Sequence, residues 1–209
     1  VRGAKAWPKA KFVTVSGETF QNSGSTITQE LAFTLAAGHE YLVKLTEAGL
    51  SAEEAARTIR FSMAVSSNYF MEMAKFRAGR MLWANIVNAY TGGCARKMFT
   101  HAVTSGWNIT AYDPYVNMLR GTTEAMSASL AGVHSLEVLP FDTAYESPTE
   151  FSSRIARNVQ LLLKNESHFD NVVDPAGGSY YIENLTQSIA EQAWKLFKEV
   201  EERGGYTAA

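Results

Sequence analysis

Four short apolar runs, each followed by a turn and a long helical pattern, constrain this chain most. They are FVTV at 12–15, IRFSMAV at 59–65, MFTHAVT at 98–104 and HSLEVL at 134–139. Their ends fall near residues 17, 66, 105 and 139. Each strand with its helix thus takes roughly 35–50 residues, the size of a βα unit in a parallel sheet. No sequence repeat accompanies this architectural one. Four such units make half of an eight-stranded barrel or one small doubly wound domain, and periodicity alone does not choose. A half barrel exposes two parallel edges and so calls for the rest of a barrel.

The helical stretches have recognisable ends. STITQ at 25–29 has capping-box spacing before a helix over 26–47, and Ser51 with Glu54 repeats it before a short helix at 51–58. Asn68 caps NYFMEMAKFRAGRMLWANIVNAY, which Gly92-Gly93 stops. Within it Met71, Lys75, Met81 and Trp83 form a stripe that reads as either core or interface, with core favoured. Asp113-Pro114 opens a helix to about Leu130, and Pro148 another over 149–165, with Phe151, Ile155, Val159, Leu162 and Leu163 on its apolar face. A turn cluster at 172–179 precedes a last helix over 184–203.

With 46% apolar residues among 209, the chain supports a substantial core. Its 19 basic and 21 acidic residues are interspersed, which leaves no basic stripe for nucleic acid and no polybasic membrane anchor. No apolar run approaches the roughly 18–20 residues of a membrane span, and VRGAKAWPKAKF lacks a signal peptide's apolar stretch. These features lead to the expectation of a cytoplasmic protein. The lone Cys94 has no internal disulfide partner and reads as inert. A start at Val and an end in GGYTAA suggest a fragment.

Chemistry-bearing motifs are sparse. Gly177-Gly178 lacks the strand-before, helix-after setting of a phosphate loop, and the four histidines show no metal-ligand spacing. His101 and His134 lie in predicted strands, where alternation points side chains either to a barrel centre or to the helices. Glu18 and Glu137 near strand ends could make a glycosidase pair if their carboxyl groups stood roughly 5–9.5 Å apart. Trp83, Trp107 and Trp194 read as packing groups.

Four blocks carry something more specific: NYFMEMAKFRAGRMLWA (68–84), SGWNITAYDPYVNMLRGTTEAMSASLAG (105–132), PTEFSSRIARNVQLLL (148–163) and VVDPAGGSYYIENLT (172–186). In collinear order they resemble the barrel sequence of the methylmalonyl-CoA mutase family. The resemblance implies an α/β fold and an adenosylcobalamin-dependent isomerase whose acyl-CoA threads a (β/α)8 TIM barrel, with cobalamin held by a separate C-terminal domain. This helix-rich chain then supplies the second half of the barrel, its last four βα units, over 1–170. Residues 171–209 begin the segment after the barrel and end in a helix.

Departures from the family pattern concentrate at strand ends. Catalytic members read SGYHMQEAG where this chain has SGETFQNSG (16–24), so Glu18-Thr19 replaces a tyrosine-histidine pair. A threonine hydroxyl lacks imidazole's reach and acidity. HCQTSGW has become HAVTSGW (101–107), losing a pocket glutamine to Val103. TQSLHTN has become VHSLEVL (133–139), keeping only Ser135 and the leucine after it, and RLSFF is rewritten around Arg60 and Ser62. By resemblance the substrate- and CoA-pocket positions are Glu18, Thr19, Gln21, His101, Val103, Thr104, His134 and Ser135. No catalytic residue and no metal ligand is expected. The pattern resembles a small, non-catalytic subunit that pairs with a catalytic large subunit, which implies that the partner holds the adenosylcobalamin; an active acyl-CoA mutase of altered specificity is the alternative.

Overall fold

The computed structural model describes residues 2–7, 9–93 and 97–209, without the side chains of Ala4 and Lys5; Cys94 lies outside the described residues. In chain order the elements are α1 (Arg2–Ala6), β1 (Val13–Ser16), α2 (Glu18–Asn22), α3 (Ile27–Glu47), α4 (Ala52–Thr58), β2 (Ile59–Val65), α5 (Tyr69–Thr91), β3 (Thr100–Thr104), α6 (Val116–Leu130), β4 (Ser135–Glu137), α7 (Glu150–Asn165) and α8 (Tyr180–Glu202). The strands form one parallel sheet in the order β1-β2-β3-β4. This is an α/β architecture consistent with part of an α/β barrel.

Local chemistry explains the helix ends. Thr26 with Gln29 and Ser51 with Glu54 close the two expected capping boxes, and Gly92 ends α5 in the left-handed region at φ 66°. Asn68 occupies the N-cap of α5, but its side chain makes no capping bond. Thr149 caps α7 through a box with Ser152, so Pro148 precedes the cap instead of opening the helix. Asp113, at φ 48°, belongs to the turn before α6, which delays that helix to Val116.

Helices cover one face of the sheet. Val15, Ile59, Phe61, Met63, Val65 and Ala102 join Leu31, Leu35, Phe76, Trp83 and Val87 of α3 and α5 in one core. Fully burying a side chain of this size stabilises by about 1.5–3 kcal/mol. Phe61 and Trp83 meet edge to face with centroids 4.7 Å apart. Gly38 lets α3 approach Phe61 closely, since a Cβ there would stand 2.5 Å from Phe61 Cε1.

α8 lies across α3 and α5, burying Ile182, Ile189, Ala190, Ala193 and Phe197 in the same core. His39 ties it down: Nδ1 lies 3.0 Å from Glu201 Oε2 and Nε2 lies 2.6 Å from the Tyr90 hydroxyl. A smaller cluster of Ala125, Val138, Ala156, Val159 and Leu163 joins α6 to α7.

Two sequence expectations shift here. The buried face of α7 is Ser152, Ala156, Val159 and Leu163, leaving Phe151 and Leu162 exposed. On α5, Lys75 and Trp83 are buried whereas Met71 and Met81 are exposed, because they lie on the side turned from the sheet and α3. Trp107 is likewise exposed, at the start of the turn after β3.

Candidate functional site

Register places one polar row on the sheet face opposite the core. Thr14 pairs with Arg60 and Ser16 with Ser62, Ser62 with His101 and Ala64 with Val103, His101 with Ser135 and Val103 with Glu137. Paired residues of a parallel ladder point to the same side and alternate along each strand. Thr14, Ser16 and Glu137 are exposed and Arg60, His101, Val103 and Ser135 half-buried, while Ser62 is covered near the β2 end. Arg60 Nη2 donates to Thr14 Oγ1 at 3.1 Å, and its Nε is buried with no partner among the described residues. His101 Nδ1 lies 2.8 Å from Ser135 Oγ, and Nε2 lies 3.8 Å from Glu137 Oε2. This row can hold an anion at Arg60 and a polar group at His101. The sequence marked Arg60 and Ser62 only as a rewritten family motif and left them out of the pocket positions, although their i, i+2 spacing in a strand puts them on one face.

The other predicted positions scatter. Glu18 and Thr19 open α2 at the end of β1, where both engage Ser16: its hydroxyl donates to Glu18 Oε1 at 2.9 Å and its carbonyl accepts from Thr19 Oγ1 at 2.8 Å. Gln21 is buried and accepts from Ser105 Oγ at 2.9 Å, tying the β1 and β3 ends together. Thr104 faces the helix side and accepts from the Leu139 backbone N–H at 2.8 Å. His134 precedes β4 instead of lying within it; its Nδ1 accepts from the Thr100 N–H at 3.2 Å and its ring stacks on Phe99. So His101, Val103 and Ser135 share a face, and the other five do not join them there. Glu18 and Glu137 sit on opposite edges of the sheet with separate partners, and no contact links them.

Charges are buried behind the strand ends. Lys75, fully buried, meets Glu30 Oε2 and Glu72 Oε2 at 2.5 Å each and donates to the Ala64 carbonyl at 2.7 Å. Glu30 Oε1 accepts from the Ala64 N–H at 2.8 Å, and Ser66 Oγ donates to Glu72 at 2.5 Å. Burial pushes Glu30 up to about 7 against the pull of Lys75. Burial opposes the Lys75 charge, but the two carboxylates outweigh it and hold that pKa above the ordinary lysine value. Behind β3, burial likewise lifts Glu124 to about 7, although it accepts from Asn108 Nδ2 at 2.7 Å and the Ser105 N–H at 3.2 Å. These groups fix the ends of β2 and β3 from behind. No cluster of potential metal ligands exists among the described residues, and none of the described helices is long and apolar enough to cross a membrane.

The family profile described as Methylmalonyl-CoA mutase matches residues 3–209. The chain belongs to the methylmalonyl-CoA mutase family. Within it, the chain is 53% identical to the methylmalonyl-CoA mutase small subunit of Porphyromonas gingivalis over 99% of its own length and 34% of that protein's. It is 42% identical to the large subunit from the same organism, over 97% of its own length and 28% of the relative's. The small subunit of Streptomyces virginiae is 41% identical over 97% of this chain and 33% of that one. The chain thus spans about a third of the length of these mutase relatives.

Proposed function

We propose that this chain is the last four βα units of a (β/α)8 barrel in a methylmalonyl-CoA mutase small subunit. On this reading, residues 1–170 complete the barrel and 171–209 begin the segment that follows it. The whole protein is cytoplasmic and pairs with a catalytic large subunit that interconverts methylmalonyl-CoA and succinyl-CoA. The 53% identity to the Porphyromonas gingivalis small subunit against 42% to its large subunit supports this assignment, while the Streptomyces virginiae pair, at 41% and 43%, does not separate the two.

One observation carries the non-catalytic reading: Glu18 and Thr19 stand where the resemblance implies a tyrosine-histidine pair, and both are bonded back to Ser16. A threonine hydroxyl engaged by a main-chain carbonyl offers no acid to a thioester oxygen, and a carboxylate beside an acyl carboxylate repels it. Adenosylcobalamin supplies radical chemistry to such an isomerase. On this reading the large subunit holds that group. The residues of this chain bind and shape; none transfers a proton.

The test is an assay of the full-length protein with adenosylcobalamin and methylmalonyl-CoA. Alone it yields no succinyl-CoA, and with the large subunit turnover appears. Robust turnover without the partner sinks the proposal.

A second reading, an active acyl-CoA mutase with altered specificity, is favoured by the unpartnered Arg60 Nε beside Ser62. Calorimetry with a series of CoA esters decides it: micromolar binding together with turnover of one ester by the protein alone establishes this reading over the first.

A further inference from the structure

Arg77 and Arg80, one helical turn apart on α5, have opposite surroundings. Arg77 pairs with Asp174, and with Glu183 at 2.6 Å. Arg80 makes no hydrogen bond or ion pair among the described residues, and its Nη1 is buried without a partner. A buried guanidinium nitrogen with no acceptor is costly, and an acceptor seated there relieves that cost.

Arg80 lines a cavity of about 480 Å³ on the helix side of the sheet, away from Arg60. Its walls come from Arg80 and Ala84 of α5, Lys97 and Met98 before β3, the 131–134 turn with His134, and Val173-Asp174. The charge there is predominantly positive. Burial and then the positive charges of Arg80, Lys11 and Lys97 hold the His134 imidazole below its ordinary pKa. Asp174, the one acid among the described residues of the wall, has its Oδ1 on Arg77 and also attracts the Arg80 guanidinium from beyond ion-pair distance. A guanidinium, an ammonium and an imidazole around one cavity suit a compact, multiply charged oxyanion, because guanidinium donates in a fork and the ammonium acts as a point charge.

We propose that this cavity, with Arg80, Lys97 and His134 on its wall, binds a phosphate group. The site is independent of the open sheet face and of the mutase reading. The phosphate is either free or carried on a larger molecule, and two probes separate these sources: inorganic phosphate and adenosine 5′-monophosphate, each titrated calorimetrically into the full-length protein in chloride buffer.

Saturable one-to-one binding of either probe is expected. Binding of inorganic phosphate alone identifies free phosphate as the ligand, and tighter binding of the nucleotide identifies a carried one. Arg80→Met should weaken binding by about tenfold or more, the loss of a charge-assisted contact. Lys97→Gln, a change at an exposed side chain that leaves the core intact, should weaken it by a smaller factor. Absence of saturable binding by both probes overturns the proposal. So does wild-type affinity in folded Arg80→Met and Lys97→Gln, or a loss produced by Arg60→Met in their place, which would move the site to the open face.

Discussion

On β2, Phe61, Met63 and Val65 are fully buried beneath the helices, whereas Arg60, on the same strand, points to the half-open side with an Nε that has no partner among the described residues. On β3, Ala102 and Thr104 lie in the interior while His101 and Val103 remain half-exposed. The helix side is organised by volume and, apart from the cavity at Arg80, by compensated charge. The open side is organised by hydrogen-bonding capacity that the described residues only partly use. That difference explains how the family's strand-end motifs can be rewritten here while the helix blocks persist: a change on the open side alters chemistry, and one on the helix side alters packing.

The contrast breaks most sharply at Lys75. Lys75→Met leaves Glu30 and Glu72 buried without their cation, and a loss of about 3–5 kcal/mol is expected in urea unfolding. A loss below about 1 kcal/mol would show that the buried cluster does not anchor the helix side.

Next in size is a pH effect from the same side. Glu30 and Glu124 have folded pKa values raised from 4.5 to about 7. Between those values the folded chain keeps protons that the unfolded chain has lost. Stability is therefore fullest below about pH 4.5 as far as these groups are concerned, and declines as pH rises through 7. Each contributes a slope of at most about 1.4 kcal/mol per pH unit. Glu124→Gln should flatten the urea midpoint against pH, and an unchanged slope would remove Glu124 from the account.

Gly38→Ala probes packing alone. The added methyl meets the Phe61 ring, and a loss of about 1–3 kcal/mol should appear as a lowered Tm. The smallest effects belong to the open face: Val103→Gln, at a half-exposed position, should change stability by no more than about 0.5 kcal/mol. A large loss there would erase the distinction between the faces.

Much of the fold was legible because its signals are local. The capping residues Thr26 and Ser51, the stop at Gly92 and the apolar runs that became β1 to β4 each act within a few residues of chain. The α2 helix escaped notice because five residues carry too little periodicity, and it is positioned by Gly17, where a Cβ would stand 2.3 Å from Thr34 Oγ1. The site was less legible. Alternation along 98–104 and 134–139 could be read, but not which phase faced the helices. Register put His101 and Ser135 together and sent His134 to the other side, against Phe99.

By itself, the sequence determined the order of strands and helices, most of their ends and the family to which they belong, since these depend on periodicity, capping and collinear motifs. Only the tertiary structure decided that Glu30 meets Lys75 across 45 residues, that Arg77 is paired while Arg80 has no ion-pair partner among the described residues, and that His101 and Ser135 share a face. Those outcomes depend on which side chains the sheet register and helix packing bring within a few ångströms, a distance that separation along the chain does not encode.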